Sequence, residues 1–344
     1  MSYDNQEGGG GALDKRTLLR RGLGLIATAG AATLGVPALS SNEVAMRAVA
    51  KGPKPRFFPG FDSFRIETEG ATIHGVMGGR GPPLLLLHGY PQTHAEWHRV
   101  APALAQRFTV VATDLRGYGD SSKPSDGDNH EGYSKRSTAQ DQVFVMKKLG
   151  FTRFSVVGHD RGGRVAHRMA LDHPEAIIRL AVLDIVPTYK LYSSVTKEFA
   201  SVYYHWFFLI QPAPLPETLI GSNADFYLRN GVFRGLVPTV ISDELYADYL
   251  RCYQDPATLH AMCEDYRAAA TIDLEHDKAD LGTQVRCPLL AIWGSKGAMD
   301  PLYDVLGTWR ERASDVRGTS LPGGHWLPEQ LPNELTTELL AFLS

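Results

Sequence analysis

Residues 154–163 read Phe-Ser-Val-Val-Gly-His-Asp-Arg-Gly-Gly, an apolar run that enters a turn flanked by Gly158 and Gly162. A helical pattern, Arg164 to Asp172, follows this turn. This is the context of a nucleophile elbow, in which a sharp strand-to-helix turn pushes one side chain into the site. The usual pattern is G-x-S-x-G, and Asp160 stands here in place of the serine. The segment therefore predicts an aspartate nucleophile.

The exchange of serine for aspartate decides which chemistry the elbow supports. A serine that attacks an alkyl carbon would form an inert ether. A carboxylate that attacks the same carbon forms an ester whose carbonyl belongs to the protein, so water can cleave it and regenerate the enzyme. Asp160 thus indicates substitution at saturated carbon rather than acyl transfer, and it disfavours a serine-type esterase.

Short apolar runs rich in β-branched residues alternate with helical patterns, which is typical of βαβ units and a parallel sheet. The predicted strands are Pro83 to His88, Phe108 to Thr113, Phe154 to Gly158, Leu180 to Ile185, Pro288 to Trp293 and Gly318 to Leu321. An antiparallel hairpin, Phe64 to Val76, is predicted ahead of them. The predicted helices include Thr93 to Gln106, Ser134 to Leu149, Arg164 to Asp172 and Asn333 to Leu343.

About a hundred residues separate the predicted strand that ends at Ile185 from the one that begins at Pro288. This stretch is rich in aromatic residues and helix-like, and it is too long for a simple crossover connection. We therefore expect a helical cap over residues 189–276, above the carboxyl ends of the strands, where open α/β sheets bind ligands. The core would then comprise residues 51–188 and 277–344.

Residues 1–50 do not resemble part of a fold. Two basic pairs stand near the start, Lys15-Arg16 followed by Thr-Leu-Leu and Arg20-Arg21, and either could be the pair of an export signal. A Gly/Ala-rich and mildly apolar stretch follows from Leu23 to Leu39, and Ala48-Val49-Ala50 offers a small-residue cleavage site. These features are typical of a twin-arginine export signal, which predicts a periplasmic protein. The apolar stretch is short and diluted by glycine and proline, so no stable membrane anchor is expected after the signal is removed.

The composition narrows the class of partner. The formal net charge of −3 gives no electrostatic reason to expect nucleic acid, which leaves a small-molecule substrate as the expected ligand. The three cysteines are Cys252, Cys263 and Cys287. Their spacing matches neither a metal-ligand motif nor C-x-x-C, so buried thiols are expected and no metal site is predicted.

A nucleophile elbow needs an oxyanion site and a base. Residues 85–91, Leu-Leu-Leu-His-Gly-Tyr-Pro, end a predicted strand with His-Gly, the usual place for the second backbone donor. The backbone N–H groups of Tyr90 and Arg161 are therefore the predicted oxyanion donors, while His88 is expected to brace the loop. His325, on a glycine-rich turn after the last predicted strand, is the predicted base, because nucleophile, acid and base should follow in that order.

The acid that would orient His325 has two candidates when the residues alone are considered. Asp184 ends one predicted strand, and Asp300 lies in the loop after the next one. Either carboxylate would hold the tautomer of the imidazole and favour the imidazolium. The pattern leaves the two candidates close to even.

Two arginines lie beside the nucleophile. Arg161 and Arg164 share one face at the amino end of the predicted helix, where anions are favoured. Two guanidinium groups in this position would bind an anionic substrate bidentately. The alternative is that they only balance the charges of Asp160 and Asp172.

The predicted cap offers donors for a leaving group. His205 and Trp206 each carry an N–H group, and Tyr266 carries an O–H group. Such an aromatic run would by default be helix core. A departing halide, however, is stabilised by donors of this kind, so the three residues are candidate halide ligands.

Together these segments resemble the fluoroacetate dehalogenase family, within the haloacid-cleaving branch of the α/β-hydrolases. The matching segments are HGYPQTHAEWHRVAP from His88, GHDRGGRV from Gly158, LAVLDIVPTY from Leu180, YHWFFLIQPAPLPE from Tyr204, CEDYRAAA from Cys263 and GGHWLPE from Gly323. They spread over nearly everything after the export signal. The loop from Gly294 to Pro301 and the cap after Asn230 match loosely.

The resemblance implies an α/β-hydrolase fold, with a mostly parallel eight-stranded sheet, helices on both faces and a helical cap. It also implies hydrolytic dehalogenation of a small 2-haloacid, no cofactor, and commonly a homodimer. The implied roles are nucleophile for Asp160, base for His325, acid for Asp184 rather than Asp300, carboxylate binding for Arg161 and Arg164, and halide binding for His205, Trp206 and Tyr266.

Two other functions share some of these features. An epoxide hydrolase also uses an elbow aspartate and needs cap tyrosines, but a neutral epoxide gives the paired arginines nothing to bind. A non-catalytic periplasmic binder of small carboxylates would keep the arginines, but it would not need Asp160 and His325 together.

Overall fold

The computed structural model describes residues 52–344. Eight strands form one sheet in the order β1-β2-β4-β3-β5-β6-β7-β8. The strands are β1 Asp62–Glu67, β2 Thr72–Gly79, β3 Pro83–Leu87, β4 Thr109–Thr113, β5 Phe154–His159, β6 Ile177–Leu183, β7 Leu289–Gly294 and β8 Val316–Leu321. β2 is antiparallel to β1 and β4, and the other pairs are parallel. The predicted α/β-hydrolase fold, with its antiparallel hairpin ahead of a parallel sheet, is confirmed.

Both faces of the sheet are buried. Along β3, Leu85 and Leu87 pack into one hydrophobic cluster, and Leu84 and Leu86 pack into a second one. Successive side chains of a strand point to opposite faces, so a strand covered on both sides consists of a continuous apolar run. This explains why the core strands are recognisable in the sequence without alternation.

Helices occupy the connections between the strands. The α-helices are Ala101–Leu104, Lys135–Lys148, Asp160–Asp172, Thr188–Ser193, Lys197–Val202, Tyr204–Phe208, Leu215–Gly221, Ala224–Phe226, Asp243–Tyr253, Pro256–Ala270, Ile272–Ala279, Met299–Leu302, Val305–Arg310, Leu327–Gln330 and Pro332–Leu343. The described residues also form two 3₁₀ segments, His94–Arg99 and Asp128–Tyr133, and one π-helical turn, Tyr227–Val232.

The prediction of one continuous helix from Thr93 to Gln106 is wrong, because the structure has two separate helical segments here. A 3₁₀ segment, His94–Arg99, is followed by the separate short helix Ala101–Leu104. Pro102 has no backbone N–H to donate to His98, so an unbroken α-helix cannot pass through this position.

The long stretch between β6 and β7 is helical, as the sequence predicts, from Thr188–Ser193 to Ile272–Ala279. Its last helix runs past residue 276, where the sequence places the end of the cap. The division into core and cap stays a prediction, and the export signal and linker of residues 1–50 lie outside the described residues. All three cysteines are free, with Cys252 and Cys263 buried and Cys287 half-buried. Within residues 52–344, we find no helix with the length and apolar character needed to cross a membrane.

Candidate active site

The parallel strands bring four turns of the chain to one edge of the sheet. β5 lies between β3 and β6, and β7 joins β6 to β8. The residues that follow β3, β5, β6 and β8 include Tyr90, Asp160, Asp184 and His325, respectively. This edge, at the carboxyl ends of parallel strands, is where open α/β sheets bind ligands.

The turn at Asp160 has the geometry of a nucleophile elbow. Asp160 has a φ of +44°, in the left-handed region that costs a residue with a Cβ about 1–2 kcal/mol. Its flanking glycines allow the backbone to turn tightly, since a Cβ on Gly158 would lie 2.4 Å from the carbonyl oxygen of Gly162, and one on Gly162 would lie 2.4 Å from that of Leu87. The helix begins at Asp160 itself rather than at Arg164.

The Asp160 carboxylate is buried but charged. The Tyr90 N–H donates to Asp160 Oδ2 over 3.2 Å, as one of the two predicted oxyanion donors would. Neither the Arg161 N–H nor any other described donor bonds to Oδ1. Burial by itself raises the pKa of Asp160, but the positive charges of His325, Arg164 and Arg161 lower this pKa to about 2. The side chain is therefore an ionised carboxylate with one free oxygen.

His325 is held by a carboxylate on its far side. Its Nδ1 lies 2.6 Å from Asp184 Oδ2, and the other oxygen of Asp184 accepts the Gly294 N–H over 2.9 Å. Asp184 is 1% exposed, and the His325 side chain is 19% exposed. The carboxylate stabilises the tautomer that carries its proton on Nδ1, which leaves Nε2 free to accept a proton.

Asp300 does not take part in this contact. It is exposed, and its Oδ1 accepts the Trp293 Nε1–H over 2.7 Å. Of the two acids that the sequence leaves open, the geometry favours Asp184.

Arg161 is fully buried and fixed from one side. Its Nε donates to Asp265 Oδ2 over 2.5 Å, and its Nη2 donates to the Asp265 carbonyl over 2.6 Å. The guanidinium stacks on the Tyr266 ring, 4.1 Å from the centroid. Its Nη1 is buried and has no hydrogen-bond acceptor among the described residues. A desolvated cation with a spare N–H group is prepared for an anion.

Arg164 is also a buried cation with one N–H group that has no acceptor among the described residues. It is 4% exposed, and its Nη1 donates to the Val186 carbonyl and to Thr188 Oγ1, over 3.0 and 3.1 Å. Its Nε is buried and has no acceptor in the described part of the chain. Trp206 covers the guanidinium, with its ring centroid 4.6 Å away. Both arginines therefore offer an unused donor next to Asp160.

The three candidate halide ligands lie together. The rings of His205 and Trp206 are 5.8 and 5.7 Å from the ring of Tyr266. The Trp206 Nε1 and the Tyr266 hydroxyl are buried and have no partner among the described residues. Burial lowers the pKa of His205 to about 3, so its imidazole is neutral and donates one N–H. Burial also raises the pKa of Tyr266 well above its ordinary value, so the hydroxyl keeps its proton.

A cavity of about 520 Å³ opens in front of the nucleophile. Asp160, His205 and His325 line it, together with Tyr90 and Tyr203. The remaining predicted site residues do not belong to this lining and are almost completely buried; they are Arg161, Arg164, Trp206, Tyr266 and Asp184.

A second buried ion pair lies behind the nucleophile. His159 Nδ1 is 3.0 Å from Glu96 Oε1, and His159 Nε2 is 2.8 Å from the carbonyl oxygen of His325. Burial alone would lower the pKa of His159, but the Glu96 carboxylate raises it to about 9. The imidazolium therefore donates to the backbone of the turn that carries the base. His88 braces its loop, as predicted, because its Nδ1 lies 2.8 Å from the Gly89 carbonyl oxygen.

Two groups of side chains have the composition of metal ligands. They are His74, His94 and Asp114, and Asp126, His260 and Glu264. In the first group, both imidazoles bond to Asp114 over 2.8 Å. In the second, Glu264 is paired with Arg267 over 2.7 Å and with His130 over 2.5 Å. These contacts pair every member of the first group, and Glu264 of the second, with a partner of opposite charge or with an imidazole.

Sequence reasoning missed two supporting acids. Asp265 fixes Arg161, and Glu96 charges His159. Asp265 adjoins Tyr266, which marks it as a residue of the site, but nothing in the sequence pairs it with an arginine 104 positions away. Glu96 carries no local signal of any kind.

Known proteins resemble this chain over most of its length. The family model for the alpha/beta hydrolase fold matches residues 82–330. A fluoroacetate dehalogenase from Burkholderia sp is 47% identical over 289 residues, which cover 83% of this chain and 95% of that protein. A soluble epoxide hydrolase from Corynebacterium sp. (strain C12) is 35% identical over 280 residues, which cover 80% of this chain and 94% of that protein.

A solved structure shares the fold. ALR0039 from Nostoc sp PCC 7120 superposes with a TM-score of 0.81 at 57% identity, and the match covers 83% of this chain and 98% of that one. The two sequence relatives thus represent two chemistries on one architecture.

Proposed function

The chain belongs to the α/β-hydrolase family, and we propose that it hydrolyses the carbon–halogen bond of small 2-haloacids. One observation carries the proposal: Arg161 and Arg164 are buried beside Asp160, and each has a guanidinium N–H without an acceptor among the described residues. A buried N–H group without an acceptor is costly, and the carboxylate of an anionic substrate would accept from both groups. The 47% identical fluoroacetate dehalogenase supports the same chemistry.

The first step is a displacement. The two arginines hold the substrate carboxylate, and Asp160 Oδ1 attacks the adjacent carbon in line with the halogen. The carbon–halogen bond breaks, and the halide leaves with the bonding electrons toward the N–H and O–H groups of His205, Trp206 and Tyr266. The product of this step is an aspartyl ester.

The second step is hydrolysis of that ester. His325, with Asp184 behind it, removes a proton from water, and the hydroxide attacks the carbonyl carbon of Asp160. Negative charge develops on Oδ2, the oxygen that the Tyr90 N–H contacts over 3.2 Å. The ester bond breaks, the leaving 2-hydroxy acid takes the proton from His325, and the regenerated Asp160 carboxyl group releases the remaining proton of the water. Overall, one water is consumed, and a 2-hydroxy acid, a halide and a proton are released.

Replacement of His325 tests the two-step route. His325→Asn should still undergo the first step with chloroacetate, and its intact mass should increase by one ester-linked acid group. Asp160→Asn should show no such increase and no halide release. In the parent enzyme, turnover in ¹⁸O-labelled water should label the Asp160 carboxylate; halide release with no label in Asp160 would rule the covalent route out.

Epoxide hydrolysis is the second candidate. The Tyr266 hydroxyl is protonated and has no acceptor in the described part of the chain, as a group that protonates an opening epoxide would require. The 35% identical epoxide hydrolase favours the same possibility. Diol formation from styrene oxide, assayed beside halide release from fluoroacetate and chloroacetate, distinguishes the two functions. We expect halide release to dominate, because a neutral epoxide has no anionic group for Arg161 and Arg164 to bind.

A further inference from the structure

The cavity in front of Asp160 is much larger than a haloacetate needs. Its volume of about 520 Å³ falls among the pockets of about 300–1,000 Å³ that hold drug-sized ligands. The groups proposed to bind the carboxylate do not line this space, since Arg161 and Arg164 lie buried outside its lining. Most of the cavity is therefore left for another part of the substrate.

The wall of the cavity is mainly apolar away from the nucleophile. Apart from Val202, at the end of the helix Lys197–Val202, the apolar side chains here come from two segments, one around the π-helical turn and one after β7; they are Val232, Phe233, Leu236, Ala298, Pro301 and Leu302. Such a surface favours an alkyl segment over water.

Two cations on the wall have no anionic partner. Arg234 and Lys296 line the cavity from these two segments, and both are exposed. Arg234 Nε donates to the Gly231 carbonyl over 3.0 Å, and its Nη2 reaches the Val202 carbonyl over 3.4 Å. Within residues 52–344, neither Arg234 Nη1 nor Lys296 Nζ has a hydrogen bond or an ion pair. The lining contains one carboxylate, which is the nucleophile Asp160.

On the premise of the proposed function, we infer that the preferred substrate is a 2-haloacid longer than acetate with a second anionic group at its far end. Arg161 and Arg164 bind the carboxylate next to the reacting carbon, the apolar wall covers the chain, and Arg234 and Lys296 bind the distal anion. Arg234 is oriented by two backbone carbonyls, so part of the cost of fixing a flexible side chain is already met.

A matched pair of substrates tests this inference. 2-Chlorohexanedioate and 2-chlorohexanoate have the same chain length and differ only in the terminal carboxylate. We expect kcat/KM for the diacid to exceed that for the monoacid about five- to tenfold at low salt, the range expected for two ion pairs at an exposed site. The preference should decrease as ionic strength rises, because exposed charges are screened.

Variants locate the source of the preference. In Arg234→Met/Lys296→Met, the ratio of the two kcat/KM values should fall to about one. Arg310→Met/Lys278→Met removes the same charge from exposed positions outside the cavity lining and should keep the parental ratio. The ratio is the readout because a general loss of folding or activity affects both acids alike.

The outcomes separate this inference from the proposed function. Chloroacetate is the reference: if neither it nor the longer acids release halide, the proposed function is wrong. If chloroacetate is hydrolysed but the parent shows no preference for the diacid, or the cavity variant keeps the preference, the distal anion site is refuted while the dehalogenase proposal stands.

Discussion

At the scale of single residues, the nucleophile is defined by the charges around it. Asp160 is 4% exposed, and burial opposes its ionisation. The cationic side chains nearby reverse that effect and lower its pKa to about 2, so the attacking oxygen is ionised at any pH at which the protein is expected to be folded. An acid limb in the pH profile of turnover should therefore arise from a group other than Asp160.

The arginines act through directed donors as well as through charge. Lysine keeps the charge of arginine but not its planar set of N–H groups. We expect Arg161→Lys and Arg164→Lys each to lower kcat/KM for chloroacetate on the order of a hundredfold, because the carboxylate would be misplaced relative to Asp160. Steady-state halide release measures this. Arg168→Lys, on the same helix and outside the site, should remain near the parental value; equal losses in all three variants would contradict the argument.

At the scale of elements, the junction between β5 and its helix depends on close backbone contact. A Cβ on Gly162 would lie 2.4 Å from the Leu87 carbonyl oxygen and 2.5 Å from that of His88. Gly162→Ala should therefore lower the free energy of unfolding by more than about 3 kcal/mol, since backbone atoms would have to move. Gly235→Ala is the control: Gly235 has a φ of +87° but no atom near its Cβ position, so about 1–2 kcal/mol is expected.

Urea unfolding of both variants measures the difference. Equal losses would show that left-handed backbone, rather than contact between β3 and the elbow helix, governs the cost.

The ion pair behind the nucleophile makes stability depend on pH. Burial would lower the pKa of His159, but Glu96 raises it to about 9; burial and the Glu96 charge raise the pKa of Glu329 to about 8. Both groups bind protons more tightly in the folded state than in the unfolded state, where values near 6.5 and 4.5 apply. The contribution of Glu329 to the free energy of unfolding should therefore fall as pH rises from about 4.5 to 8, and that of His159 as pH rises from about 6.5 to 9, each by an amount on the order of a few kcal/mol.

Glu96→Gln tests this dependence. The amide removes the charge that raises both pKa values, so its urea midpoint should vary less between pH 6.5 and 9 than that of the parent. Glu67→Gln, at an exposed position in β1, serves as the control. An unchanged slope in Glu96→Gln would exclude Glu96 as the cause.

The sequence predicts the sheet and the elbow because both have local signatures. The β3 run is apolar throughout since it is buried on both faces, and Asp160 lies between glycines that the turn requires. Contacts between distant residues have no such signature. The pairing of Arg161 with Asp265 depends on how the helix Pro256–Ala270 packs, and the 2.6 Å contact that favours Asp184 over Asp300 depends on the paths of two loops.

At the scale of the whole molecule, the homodimer stays a prediction, and exposed apolar side chains indicate where to test it. Leu219 and Phe226, in neighbouring helices, are 56% and 62% exposed. Large exposed apolar side chains are candidates for an interface. We expect sedimentation to give twice the chain mass, and Leu219→Asp/Phe226→Asp to give a monomer. Leu281→Asp, at a 46% exposed leucine elsewhere, should remain dimeric; a monomeric parent would disprove the homodimer.

The order of the catalytic groups along the chain also has a consequence for biosynthesis. A ribosome delivers Asp160 and Asp184 well before His325, which follows β8. A nascent or prematurely terminated chain that assembled the first part of the site would hold a nucleophile without its base. On the proposed mechanism, such a chain would be alkylated once by a haloacid and never released. Only the complete chain would act as a catalyst, whereas a chain that ends before His325 would be inactivated permanently by its substrate.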